Sequence, residues 1–102
     1  MHGNCYNAQG IVINPSVPLS GTTVTISYSG LLAKSGATSL YAHVGYGDTW
    51  EHSKDFTMSK TATGFEVSVP VAHARCLNVC FKDGANNWDN NNGRNYTFEV
   101  ED

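Results

Sequence analysis

Long apolar runs are missing from this 102-residue chain. No stretch approaches the roughly 20 apolar residues that a membrane-spanning helix requires, so no membrane partner is expected. The opening MHGNCYNAQG also lacks the apolar centre of a signal peptide. Cations are scarce too. Six Lys and Arg against nine Asp and Glu give a net charge of -3, whereas phosphate backbones are gripped by clustered cations that displace counterions. Nucleic acid is thereby excluded as the expected partner. Charged residues of both signs amount to only 15%, and the polarity comes from Ser, Thr, Asn and Gly, a surface suited to a neutral ligand. The three cysteines, Cys5, Cys76 and Cys80, form no C-x-x-C pair, so the zinc-site pattern is absent. No metal and no cofactor is implied. On a shared strand Cys76 and Cys80 would stand ~13 Å apart at ~3.3 Å per residue, beyond disulfide reach. Three free thiols and one bridge from Cys5 both remain open. Internal repeats, linkers and helical apolar spacing are missing as well.

What is present reads as one all-β domain. A length of 102 residues is close to the commonest domain size, so residues 1–102 are expected to form a single module and a monomer. Met1, followed directly by polar sequence, with strand-like sequence running to Asp102, suggests a module cut from a longer chain. Period-2 alternation, the mark of strands with one buried face, recurs throughout. It is clearest over Thr22–Tyr28, where Val24, Ile26 and Tyr28 point one way and Thr23, Thr25 and Ser27 the other. Gly64–Pro70, Cys76–Lys82 and Asn95–Glu101 repeat it, and Gln9–Ile13 and Lys54–Ser59 do so more weakly. Asn14-Pro15, Ser20-Gly21, Lys34-Ser35-Gly36, Thr63-Gly64 and Asp83-Gly84 punctuate the runs with turn chemistry. Six or seven short strands so spaced predict an antiparallel β-sandwich of immunoglobulin-like architecture.

Function is expected where aromatics fall on the wrong side. In Ser39–Tyr46, Leu40, Ala42, Val44 and Tyr46 take the buried face and turn Tyr41 and His43 outward. The following stretch Gly47-Asp48-Thr49-Trp50-Glu51 has one large apolar side chain, and Trp88 sits in the asparagine-rich Asn86–Gly93. Both tryptophans therefore read as loop residues. A loop Trp can fold back as a lid over the end of a sandwich. Two of them beside an outward His point instead to recognition. A pyranose presents a patch of C–H groups that lies flat on an aromatic ring while its hydroxyls bond to short amides at the edge. Asn87, Asn90 and Asn91 supply such amides beside Trp88. One stacked sugar face removes ~50 Å² from water, worth roughly 1 kcal/mol.

Three stretches carry a family resemblance: Tyr41-Ala42-His43-Val44-Gly45-Tyr46 with Trp50 downstream, Asn78-Val79-Cys80-Phe81-Lys82-Asp83-Gly84, and Asn87-Trp88-Asp89-Asn90-Asn91-Asn92-Gly93-Arg94-Asn95-Tyr96. The chain resembles family 25 of the carbohydrate-binding modules, with families 26 and 53 closely similar. The resemblance implies an immunoglobulin-like sandwich appended to a secreted, extracellular bacterial amylase, binding starch and α-1,4-linked malto-oligosaccharides without catalysis. It maps the binding platform onto His43, Trp50 and Trp88 and the hydrogen bonding onto Asn90, with Tyr41 and Asn91 as further candidates. The cysteines are not part of the family pattern. A starch chain curves, and the resemblance therefore also implies platforms set at an angle rather than in a row.

Two other classes compete. A small glycosidase needs two carboxylates ~5 to 9.5 Å apart across a cleft, for which Asp48, Glu51 and Asp89 are the candidates; a sandwich of this size offers a shallow surface instead. A protein-binding immunoglobulin-like module of a surface protein would use the same exposed aromatics as anchors, but arginine rather than asparagine is expected around them. Asp89-Asn90-Asn91-Asn92-Gly93 begins like a calcium loop, but its glycine falls one position early and no glutamate follows at the right distance. His73 with Cys76 and Cys80 gives no thiol-catalysis pattern, and His52 reads as a surface residue.

Overall fold

The alternating segments pair into two antiparallel sheets in the computed structural model, which describes Tyr6, residues 9–91, Gly93 and residues 95–101. Strands β1 (Ile11–Asn14), β2 (Thr23–Tyr28), β5 (Ser59–Lys60) and β6 (Phe65–Pro70) form one sheet in the order β1-β2-β6-β5. The other runs β4-β3-β7, with β3 spanning Leu40–Tyr46, β4 Glu51–Thr57 and β7 Cys76–Asp83. The free edge of β7 is then shared by two short strands, β8 (Trp88–Asp89) against Phe81 and Lys82 and β9 (Tyr96–Glu99) against Cys76–Val79. This is the immunoglobulin-like β-sandwich expected from the alternation.

The core follows the period-2 reading. Val24, Ile26 and Tyr28 of β2 and Phe65 and Val69 of β6 face Leu40, Ala42, Val44 and Tyr46 of β3, Leu77, Val79 and Phe81 of β7, and Phe98 of β9, all buried. Tyr28 and Phe81 stack across the two sheets, centroids 4.2 Å apart. Three features depart from expectation. The strand expected over Lys54–Ser59 is β4, Glu51–Thr57, and Ser59 belongs to β5 in the other sheet. Leu31–Lys34 form a single helical turn, α1, whose start is fixed when the Leu32 amide donates to Tyr28 Oη at 3.0 Å. Trp88 does not lie in a loop but in β8, opposite Lys82. A strand of two residues leaves no periodicity to read.

Register fixes what shares the outer face of the β3–β7 sheet. Asp55 of β4, His43 of β3 and Cys80 of β7 lie opposite one another in one row; Thr57, Tyr41, Lys82 and Trp88 form the next. Tyr41 and His43 point outward as the alternation predicts. No helix among the described residues is long and apolar enough to cross a membrane.

A candidate carbohydrate-binding face

Trp50 reaches this face through local backbone strain. Between Val44 and Tyr46 the partner residue on β4 jumps from Lys54 to Glu51, a bulge that inserts one residue and re-aims the chain. His52 within the bulge and Trp50 just before it both take left-handed φ values, 54° and 56°, which non-glycine residues rarely adopt. The turn is tied down by Gly47, whose amide donates to Cys76 O at 3.0 Å. Trp50 then folds over Gly45: a Cβ there would overlap the indole, with Trp50 Cδ2 at 2.9 Å and Trp50 Cβ at 3.0 Å. Only glycine leaves room for the ring. Trp50 is half-buried and stacks near His43, centroids 5.5 Å apart and planes 19° apart. It covers the sheet's outer face, and does not act as a lid over the end of the core.

Trp88 is positioned by its neighbour. On β8 successive side chains take opposite faces, so Trp88 turns outward, 45% exposed, while Asp89 turns into the core, 7% exposed. There Asp89 accepts hydrogen bonds from Tyr28 Oη at 2.6 Å and Tyr96 Oη at 2.7 Å. Burial, reinforced by the bond to Asp89, raises both phenols above their ordinary value. One carboxylate therefore joins the two sheets and holds β8 in its orientation.

The three predicted rings converge. Trp88 meets His43 edge-on, centroids 5.8 Å apart and planes at 89°. Because Trp50 is tilted only 19° from His43, the two indole planes stand at 70° or more to each other. His43 and Trp50 thus form one wall of a corner and Trp88 the other. Tyr41 is half-buried beside them, next to Lys82.

The asparagines divide. Exposed Asn90 uses its side-chain carbonyl to accept from the Gly93 amide at 3.1 Å, so Nδ2 is the group it can offer a ligand. Asn91, at φ 57°, donates its amide to Asn95 O at 3.1 Å and acts within the turn. Asn87 is bound to Asp83 through both its backbone and side-chain amides, each at 2.9 Å. These bonds, with the Ala85 amide, hold the Asp83 carboxyl below the ordinary carboxylate value.

A family model described as a starch/carbohydrate-binding module (family 53) matches residues 24–79. The chain belongs to carbohydrate-binding module family 53. This is one of the two families placed beside family 25 in the sequence, and the matched stretch includes His43 and Trp50 but ends before Trp88. Relatives include an alpha-amylase of Clostridium acetobutylicum, 38% identical over 80% of this chain and 10% of its own length. A beta/alpha-amylase of Paenibacillus polymyxa is 35% identical over 79% of this chain and 7% of its own; an alpha-amylase of Niallia circulans is 27% identical over 91% and 7%. The module thus spans a tenth or less of each of these amylases. No solved structure matches it.

A carbohydrate-binding module is non-catalytic, and the carboxylates weighed for a glycosidase are dispersed here. Asp89 is a buried anchor at the Phe81 end of β7, whereas Glu51 pairs with Tyr46 at the Leu77 end, ~13 Å away along the strand. Asp48 lies near Arg75, 3.7 Å away and largely in solvent. Cys76 and Cys80 carry free thiols, and Cys5 falls outside the described residues. Burial, then the charges of Asp55 and Asp89, push the Cys80 thiol up to about 11, which makes it inert under the face. Sequence reasoning missed Asp55 and Lys82. Asp55 accepts from His43 Nδ1 at 2.6 Å and pairs with Lys82 Nζ at 2.9 Å. The signal was one charge of each sign among outward strand positions, and it needed the register to be read.

Proposed function

We propose that this module binds α-1,4-linked glucan chains of starch across the corner made by His43, Trp50 and Trp88, with Asn90 hydrogen-bonding at its edge. The observation that carries the reading is the angle of at least 70° between the indole planes. A helically curving glucan turns successive sugar faces through an angle, whereas a flat glucan such as cellulose would ask for rings in one plane. The resemblance to family 25, whose platform is one histidine and two tryptophans, supports the same assignment. Tyr41 and Asn91 act on this reading through packing and turn geometry. Residues 1–102 function as one monomeric module of a secreted bacterial enzyme, and the amylase relatives suggest that it holds a tethered amylase on its substrate by raising local concentration.

The test is depletion from solution by granular starch and, separately, by crystalline cellulose, for the wild type and Trp88→Ala. The reading expects capture by starch alone and marked loss in the variant. Equal capture by both solids, or none by starch, contradicts it; the latter result with retained binding to a protein partner would favour an interaction module.

A further inference from the structure

Three side chains from three strands are tied together beside the corner. Asp55 of β4 sits opposite His43 of β3 and bonds its Nδ1 at 2.6 Å. The second carboxylate oxygen takes Lys82 Nζ of β7 at 2.9 Å. Lys82 lies opposite Trp88 and Tyr41, which brings its ammonium to 5.4 Å from the Trp88 ring centroid and 5.9 Å from that of Tyr41, within cation–π range. One carboxylate thus holds one wall of the corner directly and the other through a lysine.

The chemistry of the pair gives it direction. Partial burial pushes the Asp55 carboxyl up, but the bonds from Lys82 and His43 outweigh it and hold the group below the ordinary carboxylate value. A carboxylate has no proton to give, so the 2.6 Å bond requires the proton on Nδ1 of His43. A neutral imidazole protonated at Nδ1 leaves Nε2 as an acceptor. An exposed ion pair alone contributes only ~0–1 kcal/mol to stability, so the value of this one is geometric.

We infer that Asp55 is a positioning residue for glucan binding: through Lys82 it fixes the angle of Trp88 against His43, and it holds His43 in the Nδ1–H tautomer whose Nε2 accepts a sugar hydroxyl. This rests on the starch-binding reading above. It also accounts for a cation and an anion on a face that receives a neutral ligand, since the two charges cancel locally.

The experiment combines ¹⁵N spectra of the His43 ring at pH 8, where imidazole is in general neutral, with calorimetry against maltoheptaose. The proteins are the wild type, Asp55→Ala, Lys82→Met, Lys82→Arg and, as control, Trp88→Ala. The wild type is expected to show a proton-bearing Nδ1 and a lone-pair Nε2. Asp55→Ala averages the two and weakens binding about fivefold, close to 1 kcal/mol, with the melting temperature little changed. Lys82→Met weakens binding with the tautomer intact, and Lys82→Arg restores it. A tautomer and affinity both unchanged in Asp55→Ala, while Trp88→Ala binds more weakly than the wild type, overturn the inference and leave the site standing. Unchanged affinity in Trp88→Ala overturns the site itself, and this inference with it.

Discussion

Trp50 and Gly45 form a pair in which neither residue works alone. Trp50 holds a φ of 56° and lies where any Cβ on Gly45 would intrude. Gly45→Ala is therefore expected to push the indole off the sheet, lowering maltoheptaose affinity while leaving the core intact. The checks are calorimetry together with a red shift of tryptophan emission; an unshifted spectrum and full affinity would show that the close approach does not matter. Trp88→Ala should weaken binding about fivefold, because ~50 Å² of stacked surface is worth roughly 1 kcal/mol. The three rings were legible in the sequence because large aromatics on outward or polar stretches have no core to enter. Asp55 and Lys82 were not, since alternation states which face a residue takes and not which residue stands beside it. The burial of Asp89 was hidden for a related reason: it adjoins an exposed Trp in a polar stretch, yet on β8 adjacency puts it on the opposite face.

At the scale of the element, β8 is two residues long and depends on Asp89 for its place. Removing that carboxylate leaves two buried tyrosine hydroxyls without their acceptor, each costing ~1–3 kcal/mol. Asp89→Ala is thus expected to destabilise by ~2–6 kcal/mol, measured by urea or thermal unfolding, and to loosen Trp88 and weaken binding as a second consequence. A variant as stable as the wild type would refute the anchoring role. Strands β2, β3, β6 and β7 were readable because their apolar residues recur with period 2, whereas β4, seven residues long, has Phe56 as its single apolar residue. β8 and β5 are too short to show a period, and the one-turn helix α1 is made by a tertiary bond from its backbone to Tyr28 rather than by local preference. The β3–β4 bulge that delivers Trp50 likewise depends on pairing between strands.

The whole molecule is a sandwich that uses its inner faces for cohesion and, on the function proposed above, one outer face for recognition. Its pH response should reveal the inner bond network. Tyr28 and Tyr96 have folded-state values raised above the ordinary 10.0, chiefly by burial. Their contribution to stability is therefore complete below pH 10 and is lost as pH rises through the folded-state values. Thermal melts should stay level from pH 7 to 9 and fall steeply above 10, less so in Tyr96→Phe; a flat profile to pH 11.5 would contradict the burial of these phenols. Asp55 works in the opposite sense: its contribution is present above the ordinary 3.8 and is lost as pH falls through its lower folded-state value. With only two or three aromatic contacts, the module is expected to bind a short α-glucan with a Kd of roughly 10 µM to 1 mM.

The central claim, that the corner made by the near-parallel His43 and Trp50 rings against Trp88 receives a curved α-glucan, is tested most directly by NMR titration of labelled protein with maltoheptaose beside cellohexaose. The account predicts saturable shifts at His43, Trp50, Trp88 and Asn90, seen with the α-linked sugar alone. Shifts centred elsewhere on the folded protein, or equal responses to both sugars, would contradict it.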